Sequence, residues 1–281
     1  MQIRMVRERI ADDIYVFTSG EYAQVTAGAI VTKDGVILVD TLYFPHETQA
    51  IKEFFELRLS VPVRYVINTH YHADHTQGTY LFPEAQIVSH ALCRELLDTV
   101  GRQGLAEAQE EDPELEEVRI ALPDMVFSEG MVSLQLGGKT LELWHMPGHS
   151  PDVIGVYVAN NRILFASDNM MPVPTMFDGS YDDLFRSLQR ILEIAPDMIV
   201  QGHGEVILRG EMQTAVQSDL DYLEAIRTAV ERVVKNGNTP ESLREIDIES
   251  CGKSRIPLNG LVSDLHQANL EKMYQEMNGN R

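Results

Sequence analysis

The sequence predicts an α/β protein in which two β-rich halves pack face to face with helices outside, an αββα sandwich. Strands, a helix, strand–helix units, further strands and then helices follow one another along the 281 residues, and such an order favours two packed sheets covered by helices. No short-period repeat or Gly/Pro/Ser-rich linker divides the chain. We therefore expect a single domain over 1–281, with a core at about 12–210 and a C-terminal helical extension at 211–281.

The first half supplies the segments of one predicted sheet. β-Branched or short apolar runs predict strands at 14–19, 25–32, 36–41, 63–68 and 86–90. Asp34-Gly35 between two of them is a typical hairpin turn. Apolar residues at helical spacing predict helices at 45–59 and 91–100.

The second half repeats this organisation. Strands are predicted at 132–137, 139–146, 153–159, 162–168 and 198–201. Gly137-Gly138 and Asn160-Asn161 indicate hairpin turns. The segment 182–194 has the pattern of an amphipathic helix.

The net charge of the chain disfavours some classes of binding partner. The chain has 23 basic and 43 acidic residues, a formal charge of −20, so nucleic acid and anionic membranes are not expected partners. No stretch approaches the roughly 20 apolar residues of a membrane helix, the N-terminal residues lack the pattern of a signal peptide, and Cys93 and Cys251 are expected to be free thiols. These features predict a cytoplasmic protein. Seven acidic residues at 107–117 predict a solvated, mobile insertion.

One loop concentrates metal-ligand side chains. His70, His72, Asp74 and His75 lie within six residues, directly after the predicted strand 63–68. Alternate residues of an extended segment project to the same side, so His70 and His72 can reach one metal ion together. The following turn brings Asp74 and His75 toward a second position. Imidazole and carboxylate groups suit zinc and similar divalent ions.

Three further residues of the same chemistry follow other strands. His149 comes after the strand at 139–146, Asp168 ends the strand at 162–168, and His203 follows the strand at 198–201 between two glycines. The ends of strands are where a rigid scaffold presents functional groups. We expect all seven side chains to form one metal centre.

The four motifs, HxHxDH at 70–75, PGHS at 147–150, SD at 167–168 and GHG at 202–204, together resemble the metallo-β-lactamase superfamily over roughly residues 12–210. The resemblance implies an αββα sandwich with a dinuclear site where the two sheets meet. It assigns a first metal to His70, His72 and His149 and a second to Asp74, His75 and His203. Asp168 would bridge the two ions.

At some positions the chain differs from the motifs of individual branches of the superfamily, and these differences indicate which branches it resembles most. Asp168 stands where the first subclass of zinc β-lactamases has Cys, so the chain is more similar to the glyoxalase II, lactonase and sulfur-metabolism branches. His72 stands where the flavodiiron branch has Glu. The RNA-processing branch is disfavoured by the charge of −20.

The expected activity is hydrolysis of a small carbonyl substrate: an ester, lactone, thioester or β-lactam. Two divalent ions, expected to be zinc with manganese, iron or cobalt as alternatives, lower the pKa of a bridging water from about 16 to near 7. Asp74 would orient the resulting hydroxide and pass its proton to the leaving group. A phosphodiesterase and a non-hydrolytic diiron redox protein are the alternatives.

The apolar segment 169–177 forms either a wall of the substrate pocket or a loop buried under the C-terminal helices.

Overall fold

The computed structural model describes residues 5–237 and 239–279. Within these residues the strands form two mixed sheets, one of seven strands and one of five. The seven-stranded sheet runs in chain order, antiparallel through its first four strands and parallel through the rest. Its strands are β1 (Val6–Ala11), β2 (Ile14–Thr18), β3 (Thr26–Thr32), β4 (Gly35–Val39), β5 (Val63–Ile67), β6 (Gln86–His90) and β7 (Met125–Phe127).

The five-stranded sheet has the order β12-β11-β10-β9-β8, with a parallel pair formed by β11 and β12. The three predicted turns each lie between antiparallel neighbours: the β3–β4 turn is formed by Lys33-Asp34, one residue earlier than predicted, because Gly35 already pairs with Thr32, and the other two turns join β8 to β9 and β10 to β11. The strands are β8 (Met131–Leu136), β9 (Lys139–His145), β10 (Ile154–Val158), β11 (Ile163–Ser167) and β12 (Met198–Gln201).

The alternation of side chains along the strands produces the layers. In β4, Ile37 and Val39 pack in the cluster between the sheets, whereas Leu38 packs in the outer cluster beneath the first helix. In β11, Phe165 faces the other sheet and Leu164 faces the helices on the opposite side. Strands with two apolar faces must be covered on both sides, so helix, sheet, sheet and helix stack as predicted.

The helices cover the outer faces of the two sheets. In α5 (Tyr181–Ile194) the Ser180 side chain caps the N-terminus by accepting a hydrogen bond from Asp183 N, and Leu184, Leu188 and Ile191 form its buried stripe. No helix among the described residues is long and apolar enough to cross a bilayer. The α-helices are α1 (Pro45–Glu53), α2 (Ala73–Thr76), α3 (Ala91–Leu96), α4 (Arg102–Glu111), α5 (Tyr181–Ile194), α6 (Met212–Lys235) and α7 (Val262–Gly279).

The segment 107–117, which the sequence predicts to be a solvated, mobile insertion, contains helical structure. After α3, a π-helical turn over Leu97–Gly101 leads directly into α4, which continues to Glu111. Leu115 and Val118 are then fully buried. The acidic side chains are largely exposed, as expected, but the apolar residues among them have helical spacing and anchor the segment to the body of the protein.

Candidate metal centre

The loop after β5 delivers four of the seven predicted ligands. His72 has an extended backbone with φ −61° and ψ 145°, and the single turn of α2 begins immediately after it. This change from extended to helical backbone directs Asp74 and His75 away from the direction of His72. His70 and His75 are fully buried, so the loop projects its imidazoles into the protein.

The other three ligands come from the five-stranded sheet. His149 follows β9, Asp168 follows β11, and His203 follows β12. Gly202 is required here, because a Cβ atom at this position would lie 1.8 Å from Asp168 Oδ1. The two sheets are joined at this point by the hydrogen bond from Thr26 N to Gly202 O, 2.9 Å long.

The first group of ligand atoms belongs to His70, His72, His149 and Asp168, which all lie within 4.8 Å of one another. His149 Nε2 is 3.0 Å from His72 Nδ1 and 3.4 Å from Asp168 Oδ2. Two ligands of one tetrahedral zinc ion with bonds of about 2.1 Å lie roughly 3.4 Å apart. The spacing of these atoms therefore matches a shared ion.

The second group consists of Asp74, His75 and His203, again within 4.8 Å of one another. His203 Nε2 is 3.3 Å from Asp74 Oδ2 and 3.4 Å from Asp168 Oδ2. Asp168 Oδ1 is 3.1 Å from His75 Nε2. Asp168 thus contacts both groups, one oxygen toward the first and both toward the second, which is the position of a bridging ligand.

Some buried polar atoms of these side chains form no hydrogen bond, which also fits the binding of cations. Among the described residues, His70 Nε2, His75 Nε2 and Asp168 Oδ1 are buried atoms that form no hydrogen bond, since the close contact between the last two lacks hydrogen-bond geometry. A buried polar atom without a partner is costly, and all three point into the cluster. The donor set, imidazole and carboxylate with no thiolate, is the kind that holds zinc and similar divalent ions.

The pKa values of the histidines differ between the two ligand groups. Burial lowers the pKa of His70, helped by His75 and His72, and burial likewise lowers the pKa of His149 to about 4. For His203, burial acts in the same direction, but the Asp168 and Asp74 carboxylates outweigh it and raise the pKa to about 10. The two neutral imidazoles keep a free lone pair for a metal, while the carboxylates supply the negative potential that attracts it.

Residues outside the seven ligands hold the imidazoles in place. Asp40 Oδ2 accepts from His75 Nδ1 at 3.0 Å, and Thr69 N and Oγ1 both donate to Asp40 at 2.7 Å. His70 Nδ1 lies 3.1 Å from Ser167 Oγ. We did not predict Asp40 from the sequence, although it carries the same signal as Asp168, an acid directly after an apolar strand.

The backbone is strained at these supporting positions. Asp40 and Ser167 have left-handed backbones with φ of 61° and 54°, and so does Ala23 with φ of 44°. The Ala23 carbonyl accepts from His203 Nδ1 at 2.9 Å. Such conformations cost of order 1–3 kcal/mol each and concentrate at functional sites. Each of the three is in contact with a ligand of the cluster.

The apolar segment 169–177 is divided between the two alternatives. Met170, Val173 and Met176 are buried in the core that includes the C-terminal helices. Phe177 is 61% exposed, and its ring lies 5.2 Å from the ring of His72 and 6.1 Å from that of His149. Most of the segment is therefore core, and its last residue borders the cluster.

An apolar cavity of about 210 Å³ opens beside His72. Tyr43, Tyr71 and Gln77 line it on the side of the ligand loop, and the helical segment from Leu97 to Ala108 lines the opposite side. Tyr43 stacks on Tyr22 at 4.3 Å. Because His72 belongs to both the cavity wall and the first ligand group, the cavity borders the cluster.

The four remaining histidines lie in other environments. His90 and His145 stack on each other at 3.9 Å. His46 faces Glu21 and Glu114, and His266 bonds to the Tyr222 hydroxyl at 2.9 Å. None of these four belongs to either ligand group.

Known proteins share both the sequence pattern and the fold. The linear primary-alkylsulfatase of a Pseudomonas species is 22% identical over 77% of this chain, and the chain spans 48% of that enzyme. The hydroxyacylglutathione hydrolase of Pelagibacter ubique is 23% identical over 72% of the chain and 77% of its own length. The solved stereoselective inverting sec-alkylsulfatase of Pseudomonas sp. superposes with a TM-score of 0.75 at 16% identity, over 97% of this chain and 50% of its own.

The chain thus spans about half the length of the alkylsulfatases that it matches. The names of these relatives agree with the enzyme class predicted from the motifs. The sequence profile of the Metallo-beta-lactamase superfamily matches residues 21–203, a range that contains all seven predicted ligands. The chain therefore belongs to the metallo-β-lactamase superfamily.

Proposed function

We propose that the chain is a metal-dependent hydrolase that cleaves a small carbonyl substrate at a centre of two divalent cations. The observation that carries this proposal is the position of Asp168 between two groups of ligand atoms, each group within 4.8 Å. His70, His72 and His149 would hold the first cation and Asp74, His75 and His203 the second, with Asp168 shared. The imidazole-rich ligand set suits zinc, while manganese, iron and cobalt accept the same ligands.

Hydrolysis needs an activated water molecule and a group that transfers its proton. Divalent cations in such a site supply Lewis acidity and bring the pKa of water toward neutrality. The oxygen of water forms a bond with the carbonyl carbon, and the bond from that carbon to the leaving oxygen, nitrogen or sulfur breaks. Although burial opposes it, the His75 and His203 imidazoles lower the pKa of Asp74 to about 2. Asp74 is then a carboxylate that accepts the proton of water and returns it to the leaving atom.

Cleavage of an alkyl sulfate is a second candidate, which the likeness to two alkylsulfatases favours. A sulfate ester keeps a negative charge, and side chains that recognise such a group are usually cationic. The residues that line the cavity beside His72 include no lysine or arginine. We therefore rank the neutral carbonyl substrate first. A phosphodiester is also anionic, and it ranks below the carbonyl substrate for the same reason.

The test is a screen of the zinc-loaded protein against a lactone, a thioester, a carboxylic ester, a chromogenic β-lactam, a phosphodiester and octyl sulfate. We expect turnover of at least one carbonyl substrate that is abolished by a chelator, restored by zinc and reduced at least about 100-fold by Asp74→Asn. Turnover confined to the sulfate or the phosphodiester would reject the carbonyl assignment. A protein that binds no metal would reject the hydrolase itself.

A further inference from the structure

The cavity beside His72 has one wall built from a regular helical stripe. Gly101, Gly104, Leu105 and Ala108 line it, and their spacing of three, four and seven residues places them on one face of a helix. Leu97, one turn before Gly101, also lines the cavity and is buried. The charged side chains of this acidic segment lie on the other faces, so the stripe presents a smooth apolar surface to the cavity.

The size of the cavity defines what it can hold. A cavity of about 150 Å³ lined by aliphatic side chains stays dry and binds benzene, a molecule of six carbons. In proportion, the roughly 210 Å³ beside His72 holds about eight carbons. The opposite wall contributes only uncharged groups besides His72, among them the aromatic rings of Tyr43 and Tyr71. An aliphatic chain fits this lining better than a sugar, a nucleotide or a charged peptide.

We propose that this cavity binds an unbranched aliphatic chain of the substrate, about eight carbons long, and that the missing side chain at Gly104 leaves room for it. The proposal rests on the proposed function, since the cluster that the cavity borders at His72 performs the hydrolysis. His72 joins the two sites: its Nδ1 lies at the cluster and its ring borders the cavity. A substrate whose reacting carbonyl is at the cations therefore places an attached chain along the stripe.

Gly104 is the position where the space for the chain can be reduced without disturbing the fold. No heavy atom lies within 4 Å of the place that its Cβ atom would occupy, and its φ is not positive. Gly104 lies inside α4, where replacement of glycine generally favours the helix. Gly104→Leu would extend four carbons from the stripe and fill about half of the space.

The experiment measures kcat/KM for two ester series by pH-stat. One series has methyl esters of unbranched acids from two to twelve carbons, and the other has acetates of the corresponding alcohols, so that the responding series identifies which side of the ester carries the chain. In one series we expect kcat/KM to rise about fourfold per methylene and to stop rising near eight carbons. Gly104→Leu should lower the ratio of the eight-carbon to the two-carbon value at least tenfold. Leu105→Ala should move the limit to longer chains.

Two further measurements separate this proposal from the hydrolase assignment. Ala106→Leu adds the same side chain at an exposed position of the same helix that does not line the cavity, and it should leave the profile unchanged. Binding of 1-octanol, measured by calorimetry, needs no turnover and should be lost in Gly104→Leu and kept in Ala106→Leu. Octanol binding with this pattern but without hydrolysis of any ester would support the cavity and reject the proposed function. Two results together would overturn the cavity proposal: ester hydrolysis that does not depend on chain length, and octanol binding that Gly104→Leu does not change.

Discussion

Each imidazole of the cluster is fixed through the ring nitrogen that faces away from it. A partner on one nitrogen sets both the tautomer and the orientation of the ring, and so presents the other nitrogen to a metal. The partners differ in kind: two are carboxylates, one is a hydroxyl and two are main-chain carbonyls. They are Asp40 for His75, Asp178 for His72, Ser167 for His70, Thr175 O for His149 and Ala23 O for His203.

At this scale, removal of a ligand should remove metal. We expect His72→Ala and Asp168→Ala to lower the zinc content from about two ions per chain to about one or fewer, because each side chain contacts the rest of its group directly. Metal analysis by mass spectrometry checks this. His46→Ala, a histidine outside the cluster, is the matched control and should keep the full content. Full metal content in either ligand variant would contradict the assignment.

Asp40→Asn should weaken metal binding without removing a ligand. The amide keeps the shape of the side chain, and asparagine tolerates the left-handed backbone at this position, but its NH₂ group or its neutral oxygen replaces the carboxylate that holds His75. We expect zinc affinity to fall by about 10- to 100-fold, measured by competition with a chelator. Asp34→Asn in the exposed β3–β4 turn is the control, and equal affinities for the two variants would reject a supporting role for Asp40.

The clustering of these seven side chains could be predicted from the sequence because they form short motifs at the ends of strands. Their supporting residues could not, for physical reasons. Thr175 and Ala23 act through main-chain carbonyls, which any residue possesses. Asp178 supports His72 from 106 positions away, and such a pairing becomes visible only when the chain has folded.

At the scale of elements, the C-terminal helices support the centre through the segment that ends at Phe177. Asn269 of α7 donates to Pro174 O at 2.9 Å and accepts from Met176 N at 3.0 Å. The residue between them, Thr175, carries the carbonyl that accepts from His149 Nδ1 at 2.8 Å. α7 thus contacts the segment that holds His149, a predicted ligand 120 residues before Asn269 in the chain.

Asn269→Ala should therefore affect the metal centre as well as stability. It leaves two buried main-chain groups without partners, so we expect the free energy of unfolding to fall by about 2 kcal/mol. Because Thr175 is no longer held on either side, zinc affinity should fall about tenfold or more. Glu271→Ala, an exposed position of the same helix, is the control. A loss of stability with unchanged zinc affinity would show that α7 does not position His149.

The elements were predictable where local chemistry determines them. The hairpin turns and the amphipathic stripe of α5 follow directly from turn residues and spacing. β1 and β7 were not predicted, because half of the residues 6–11 are charged and the three residues 125–127 are too few to form a pattern. α4 was missed because the count of acidic residues concealed the helical spacing of Leu105 and Ala108.

At the scale of the whole molecule, the predicted extension at 211–281 shares its core with the five-stranded sheet. Leu164 and Ile199 of the sheet belong to the same apolar cluster as Leu223 of α6 and Leu270 of α7. Elements that share one core unfold together, which supports our expectation of a single domain. The extension also contains a buried ion pair between Asp219 and Lys253.

That pair should give stability a specific pH dependence. Burial raises the pKa of Asp219 to about 6, although Lys253 opposes the shift. A carboxyl group with a raised pKa in the folded state favours folding at low pH, and this contribution is lost as the pH rises from about 4 to about 6. The difference in unfolding free energy between the parent and Asp219→Asn should therefore decrease over that range, by at most about 3 kcal/mol. Urea unfolding of both proteins in a chelator tests this, and a difference that rises with pH would contradict it.

The convergence of seven side chains on two cations is the claim from which the other proposals follow. Anomalous diffraction from a crystal of the zinc-loaded protein, collected on both sides of the zinc absorption edge, tests it most directly. We predict two peaks, one bonded by His70, His72 and His149, the other by Asp74, His75 and His203, with Asp168 bonded to both at about 2.0–2.2 Å. A single peak closed by four protein ligands, or peaks elsewhere on the molecule, would contradict the account.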